Sequence, residues 1–197
     1  VRGGGVRRGC VHRCIGDRIA AATYLCAAAA AGGQVTLRGV DYRHLATVTT
    51  ALGQAGCRLQ CTEDSITLES DGRLRAIPPV RTSPYPGFPT DAQAPLMAAL
   101  LRSEGAVMFV ENMFDSRYRH VPELVRMGAD IRLEGRVAVV YGAAVRCTDL
   151  RGGAALAIAA LQTPDATLIH EIYHIQRGYQ DMAGDLRALG ADAAVEV

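Results

Sequence analysis

Apolar and polar positions along this chain switch repeatedly between a helical and a strand-like period. After Asp17 an alanine-rich, almost unbroken apolar run continues to Ala31 and stops at Gly32 and Gly33. Residues 34–38 then alternate, with Val35 and Leu37 sharing one side, as in a half-buried strand. A second amphipathic stretch ends at Ala55-Gly56-Cys57, and the alternating runs 57–61 and 65–69 flank a polar turn, predicting a strand pair. The same succession returns. A helical run opens at Asp91, 106–110 reads as an apolar strand, and a helix with Val121, Leu124 and Val125 on one face ends at Met127-Gly128-Ala129. Strands 129–133 and 137–141 follow. A third copy opens at Asp149, has its apolar strand at 166–171, ends its second helix at Leu189-Gly190-Ala191, and closes with a lone strand over 191–197. The partner of that strand is expected from elsewhere. The aspartate-to-glycine separations are 39, 37 and 41 residues, close enough to read as one repeated unit. Repeats at about 10–70, 78–142 and 143–197 predict a single α/β domain over residues 1–197, built around a pseudo-threefold axis.

Each terminal glycine is placed as the left-handed cap of the preceding helix. An aspartate at a helix start accepts unpaired backbone N–H bonds and complements the helix dipole, so capping is one reading of all three aspartates. For Asp17 that reading stands beside a functional one.

Composition narrows the function classes. The 197 residues are 49% apolar, enough for a sizeable core. Lys and Arg total 21 against 20 acidic residues, with no long run of one sign, so nucleic acid is not an expected partner. No apolar run reaches the roughly 18 residues of a membrane span, and insertion is not expected. Six cysteines without a leader segment read as reduced thiols, with the cytoplasm as the expected location. A chain that starts at Val1 already in repeat-like sequence reads as a piece of a longer protein.

The loop Arg81-Thr82-Ser83-Pro84-Tyr85-Pro86-Gly87-Phe88-Pro89-Thr90-Asp91-Ala92-Gln93-Ala94 resembles the signature of the UDP-N-acetylglucosamine 1-carboxyvinyltransferases. Glu111-Asn112-Met113-Phe114-Asp115-Ser116-Arg117-Tyr118, His120-Val121-Pro122-Glu123-Leu124, Thr148-Asp149-Leu150-Arg151 and Tyr173-His174-Ile175-Gln176-Arg177-Gly178-Tyr179 follow in that family's order. Gly16-Asp17-Arg18-Ile19 resembles its Pro-Asp-Arg-Ile element. The match spans the whole chain but only about the C-terminal half of the family's length. It implies one domain of a two-domain enzyme, each domain an inside-out α/β barrel of three βαβαββ-like repeats, with the active site between them. It further implies a missing N-terminal half as partner, whose own first segment would supply the strand lacking in the third copy.

The implied reaction, a step of peptidoglycan synthesis, moves the enolpyruvyl group of phosphoenolpyruvate onto the 3′-hydroxyl of UDP-N-acetylglucosamine and releases phosphate. Such chemistry needs a base, an acid and cations for phosphate and carboxylate; no cofactor or metal is implied. Asp91 matches the aspartate that contacts the sugar hydroxyl and is the candidate base. Met113 matches a position whose backbone lies beside the nucleotide sugar. Arg117 and Arg177 match cleft arginines, Arg177 being the one that reaches phosphoenolpyruvate, and a guanidinium suits two-point contact with either anion. Asp149 and Arg151 match positions near the reacting centre. The sequence departs from the pattern at Gly16 for Pro, Ala20 for Glu, Gly87 for Ala and Gln176 for Asp. The family's acid lies in the other half, and none of the six cysteines here matches it.

Rival readings are local. His170-Glu171-Ile172-Tyr173-His174 fits the zinc-peptidase pattern, which requires a helix, whereas its flanks favour a strand. Cys10, His12 and Cys14 lack a second pair at metal spacing, and Gly3-Gly4-Gly5 has no Gly-Lys-Ser/Thr after it. A broader alternative is a half that binds a nucleotide sugar or a complementary half without catalysing transfer.

Overall fold

The computed structural model describes residues 9–141, 150–162, 169 and 172–195, the side chains at 141, 150 and 151 excepted. Helix α1 (Arg18–Ala31) opens on Asp17, whose carboxylate accepts from the backbone N–H of Ile19 at 2.7 Å and Ala20 at 3.1 Å. Asp17 is thus a true N-cap. Gly32, at φ +80°, turns the chain out of the helix. Strand β1 (Gly33–Arg38), helix α2 (Ala46–Gln54), and strands β2 (Arg58–Cys61) and β3 (Ser65–Ser70) complete the first unit. Strand β4 (Val80–Arg81) leads to helix α3 (Thr90–Ala99), strand β5 (Val107–Val110), helix α4 (Val121–Arg126), and strands β6 (Asp130–Glu134) and β7 (Val137–Tyr141). Helices α5 (Leu150–Ala160), α6 (Tyr173–Gln176) and α7 (Met182–Ala188) follow.

The two sheets share one connectivity. In the first, β1 and β2 both pair antiparallel with β3, in the order β1-β3-β2. In the second, β5 and β6 both pair antiparallel with β7, and β4 joins parallel to β5 at the edge, giving β4-β5-β7-β6. Register follows the alternation: Val35 stands opposite Leu68, and Val107 opposite Val140, which faces Ile131, all buried. Thr36 and Thr67 hydrogen-bond at 2.9 Å on the other face of the first sheet.

Helices α1, α3 and α5 pack on one another. Each is apolar nearly all round, which places a helix in the interior rather than on a surface. Their alanines allow close approach, since the distance between packed helices is set by the side chains at the contact.

Three helix ends are built alike. After α2, Cys57 N–H donates to Leu52 O at 3.0 Å and Gly56 N–H to Gly53 O at 3.1 Å. After α4 the pair is Ala129 to Leu124 at 2.9 Å and Gly128 to Val125 at 2.9 Å; after α7 it is Ala191 to Leu186 at 3.0 Å and Gly190 to Arg187 at 2.9 Å. This double bond is the Schellman motif, and it needs a left-handed residue where the three glycines sit at φ +112°, +93° and +93°. Leu52, Leu124 and Leu186 are buried beneath the three turns.

Two expectations change. Residues 191–195 form no strand. Strand backbone groups need a partner, and where β2 has β3 and β6 has β7, residues 191–195 have no strand partner among the described residues. The strand-favouring reading around His174 also fails locally, since Tyr173–Gln176 is a single helical turn. The strand expected at 166–171 lies outside the described residues except for Ile169, as do His170 and Glu171.

Candidate active site

The parallel pairing of β4 with β5 puts Arg81 opposite Val110, so the next residues of each strand, Thr82 and Glu111, emerge side by side. Thr82 N–H donates to Val110 O at 3.0 Å, and its hydroxyl donates to Glu111 Oε1 at 2.8 Å. The chain then folds back on itself, with Ser83 N–H to Phe88 O at 3.0 Å and Gly87 N–H to Pro84 O at 2.8 Å, across a cis Tyr85–Pro86 peptide. Tyr85 is braced from the first unit. The Arg18 guanidinium lies 5.3 Å from its ring centre, and its hydroxyl lies 3.3 Å from His44 Nδ1.

The fold-back delivers Pro89 as the N-cap of α3 and sets Asp91 in the first turn. Asp91 makes no capping bond, which separates it from Asp17. Its Oδ1 accepts instead from Arg117 Nη2. Both side chains are partly open to solvent, at 44% for Asp91 and 30% for Arg117. Pro95 lacks the N–H that would bond the Asp91 carbonyl one turn earlier. Arg117 follows Ser116, held at φ +54°, a region that a residue with a Cβ enters at a cost. Its guanidinium lies 5.7 Å from the Phe114 ring centre.

Glu111 ties these pieces together. It is 1% exposed, yet its carboxylate accepts from Thr90 Oγ1 at 2.9 Å, Met113 N–H at 2.8 Å and Phe114 N–H at 3.1 Å, besides Thr82. Asn112 N–H donates to Thr82 Oγ1 at 2.8 Å. Tyr118, two residues from Ser116, is buried and donates to Phe109 O at 3.0 Å; burial, then the charge of Glu111, pushes its phenol up. An open cleft of about 320 Å³ lies against Glu111, Phe114, Arg117, Arg119 and Arg136.

Of the residues singled out from the sequence, the structure therefore unites Asp91, Met113 and Arg117. Arg177 stands exposed at the end of α6 and forms no ion pair among the described residues. Asp149 lies outside the described residues, as does the side chain of Arg151, whose backbone is in α5. The Glu111 hub was not assigned a role from sequence. Its signal is a carboxylate directly after an apolar strand, within a stretch that carries two other site residues. No cluster of three or more His, Cys, Asp or Glu is placed to hold a metal among the described residues. No helix among them is long and apolar enough to cross a membrane.

The EPSP synthase (3-phosphoshikimate 1-carboxyvinyltransferase) family model matches residues 1–186. The chain belongs to this family. Among curated members, the UDP-N-acetylglucosamine 1-carboxyvinyltransferase of Zymomonas mobilis subsp. mobilis is 45% identical over 190 residues, covering 93% of the chain and 44% of the relative. That of Campylobacter lari is 44% identical over 183 residues, covering 90% and 44%. The chain thus spans about half the length of the curated relatives it matches. Of solved structures, the enolpyruvyl transferase NikO from Streptomyces tendae superposes with a TM-score of 0.81 at 29% identity, over 91% of this chain and 44% of that one. An EPSP synthase from Acinetobacter baumannii, at 20% identity, has a TM-score of 0.66 and shares the α/β fold. The resemblance read from the loop at 81–94 and the 111–118 segment holds at the level of the family, whose members here are named as transferases.

Proposed function

We propose that this chain is the C-terminal domain of a UDP-N-acetylglucosamine 1-carboxyvinyltransferase, acting in the cytoplasm at a step of peptidoglycan synthesis. The reaction transfers the enolpyruvyl group of phosphoenolpyruvate to the sugar 3′-hydroxyl and releases phosphate. The observation that carries the reading is the Asp91–Arg117 pair at the start of α3, in a chain 45% identical to an enzyme of that name. The domain is a three-repeat barrel with α1, α3 and α5 inside; the matching sheets and the three identical helix ends support it.

Arg117 engages only Oδ1 of Asp91, and Oδ2 has no protein partner among the described residues. We assign Oδ2 to the sugar hydroxyl, whose proton must leave as the oxygen attacks the enolpyruvyl carbon. Arg117 fixes the carboxylate and adds positive charge where phosphoenolpyruvate brings negative charge. The backbone at Met113 faces the nucleotide sugar, while Arg177, Asp149 and Arg151 act on phosphoenolpyruvate once the complementary half closes. That half supplies the acid. The test is to mix the chain with the N-terminal half of the Zymomonas mobilis relative and both substrates, and to seek the enolpyruvyl ether of the nucleotide sugar by mass spectrometry. Product in the mixture alone supports the reading. A folded, tight-binding mixture that makes none refutes it and leaves a binding half without catalysis.

A further inference from the structure

We propose that Glu111 is a positioning residue that locks the start of α3, and with it Asp91, to the turn that carries Met113 and leads to Arg117. The inference rests on the transfer reading given above. Three separate pieces of chain meet at one carboxylate: the end of β4 through Thr82, the start of α3 through Thr90, and the turn after β5 through the N–H groups of Met113 and Phe114.

The chemistry of the donors sets this carboxylate apart from a structural ion pair. Every donor is a hydroxyl or a backbone N–H, and no Lys or Arg pairs with Glu111 among the described residues. An ionised carboxyl accepts at both oxygens, and four donors converge on this one, three at Oε1 and one at Oε2. Bonds to a charged acceptor are about twice as strong as neutral ones, and a buried carboxylate that lost them would be left badly solvated. Oε1 takes the two turn amides and Thr82, while Oε2 takes Thr90, so moving α3 relative to the turn breaks one set or the other. Thr90 immediately precedes Asp91, and Met113 lies four residues before Arg117. Glu111 thereby fixes the distance between the base and the surface that seats the nucleotide sugar, without touching substrate.

Glu111→Gln tests this with side-chain shape preserved. Its Nε2 would face a hydroxyl that now donates, and the remaining oxygen would be a neutral acceptor. The first readout is amide hydrogen exchange of the whole chain by NMR. Exchange at Met113 and Phe114 is expected to quicken about tenfold while the circular dichroism spectrum stays unchanged. The second is turnover in the mixture with the N-terminal half of the relative. KM for UDP-N-acetylglucosamine is expected to rise about tenfold with KM for phosphoenolpyruvate unmoved, whereas simple loss of folded protein would lower kcat and move neither KM. Thr90→Val, which removes only the bond to α3, covers the case in which the Gln variant fails to fold, and is expected to lower kcat with the Met113 and Phe114 amides still protected. Unchanged exchange and unchanged KM in Glu111→Gln overturn the proposal. A wild-type mixture without turnover defeats the transfer reading instead, and the exchange arm then decides alone whether Glu111 holds the turn.

Discussion

Replacing Gly16 by proline is expected to harm this chain. A Cβ built at Gly16 would lie 2.3 Å from the carbonyl oxygen of Gly39, and 3.2 Å from both the Gly39 carbonyl carbon and Val40 Cγ1. The nearest of these atoms is backbone, so no side-chain rotation relieves the contact. Gly39 itself sits at φ +75° and is followed by two bonds from the backbone N–H groups of Gly39 and Val40 to Asp64 O, at 2.7 and 3.2 Å, which pin the segment to the β2–β3 turn. Overpacking of this kind costs about 1–3 kcal/mol, and each kcal/mol lowers the melting temperature of a domain this size by about 2–4 °C, so a drop of about 2–12 °C is expected. Gly16→Ala isolates the Cβ, and Gly16→Pro adds the ring. Thermal denaturation followed by circular dichroism, on both variants and the parent, measures the effect. Melting within a degree of the parent for Gly16→Ala would show that the Gly16–Gly39 contact does not govern this residue choice.

Gly87→Ala is expected to destabilise for a related reason, because its Cβ would meet Ser83 Oγ at 1.8 Å and both Ser83 Cβ and Pro84 O at 2.9 Å; Ser83→Gly should recover part of the loss in the same melting assay. Leu124→Ala, beneath the α4 Schellman turn and fully buried, should cost about 2–5 kcal/mol in urea unfolding. Arg117→Ala should change stability by less than about 1 kcal/mol, because a pair this open to solvent is well screened, yet remove most turnover in the reconstituted mixture. Asp41 accepts from the Arg43 side chain and backbone, which lower its carboxyl from 3.8 to about 2. The folded value lies below the unfolded one, so its contribution is present above pH 3.8 and is lost as pH falls toward 2; an NMR titration midpoint near 4 would contradict the contact.

Much of the architecture was legible because the chain punctuates itself. The glycines at 56, 128 and 190 mark helix ends that a residue with a Cβ adopts only under strain, and the burial of α1 follows from a run with no polar face. The role of each aspartate was not legible from spacing. Asp17 caps and Asp91 does not, since the fold-back at residues 83–88 lets Pro89 take the cap position and frees the carboxylate for Arg117. The role of Glu111 is only half local: the turn amides of Met113 and Phe114 lie two and three residues on, but Thr82 and Thr90 lie 29 and 21 residues back, and their arrival at the same carboxylate is set by the fold. The helical turn at Tyr173–Gln176 is not legible either: the flanks 166–169 and Ile175 favour a strand, whereas the turn is closed by Ile175 N–H and Gln176 N–H on Ile172 O.

The most direct test of Asp91 as the base is phosphate release from phosphoenolpyruvate in the presence of UDP-N-acetylglucosamine, measured on the chain mixed with the N-terminal half of the relative, with wild-type and Asp91→Ala chains side by side. Release is expected to require both halves and the nucleotide sugar, and to fall by at least about a hundredfold in Asp91→Ala while the variant keeps its circular dichroism spectrum. Equal release from both chains would contradict the assignment of Asp91 as the base on which the proposed mechanism stands.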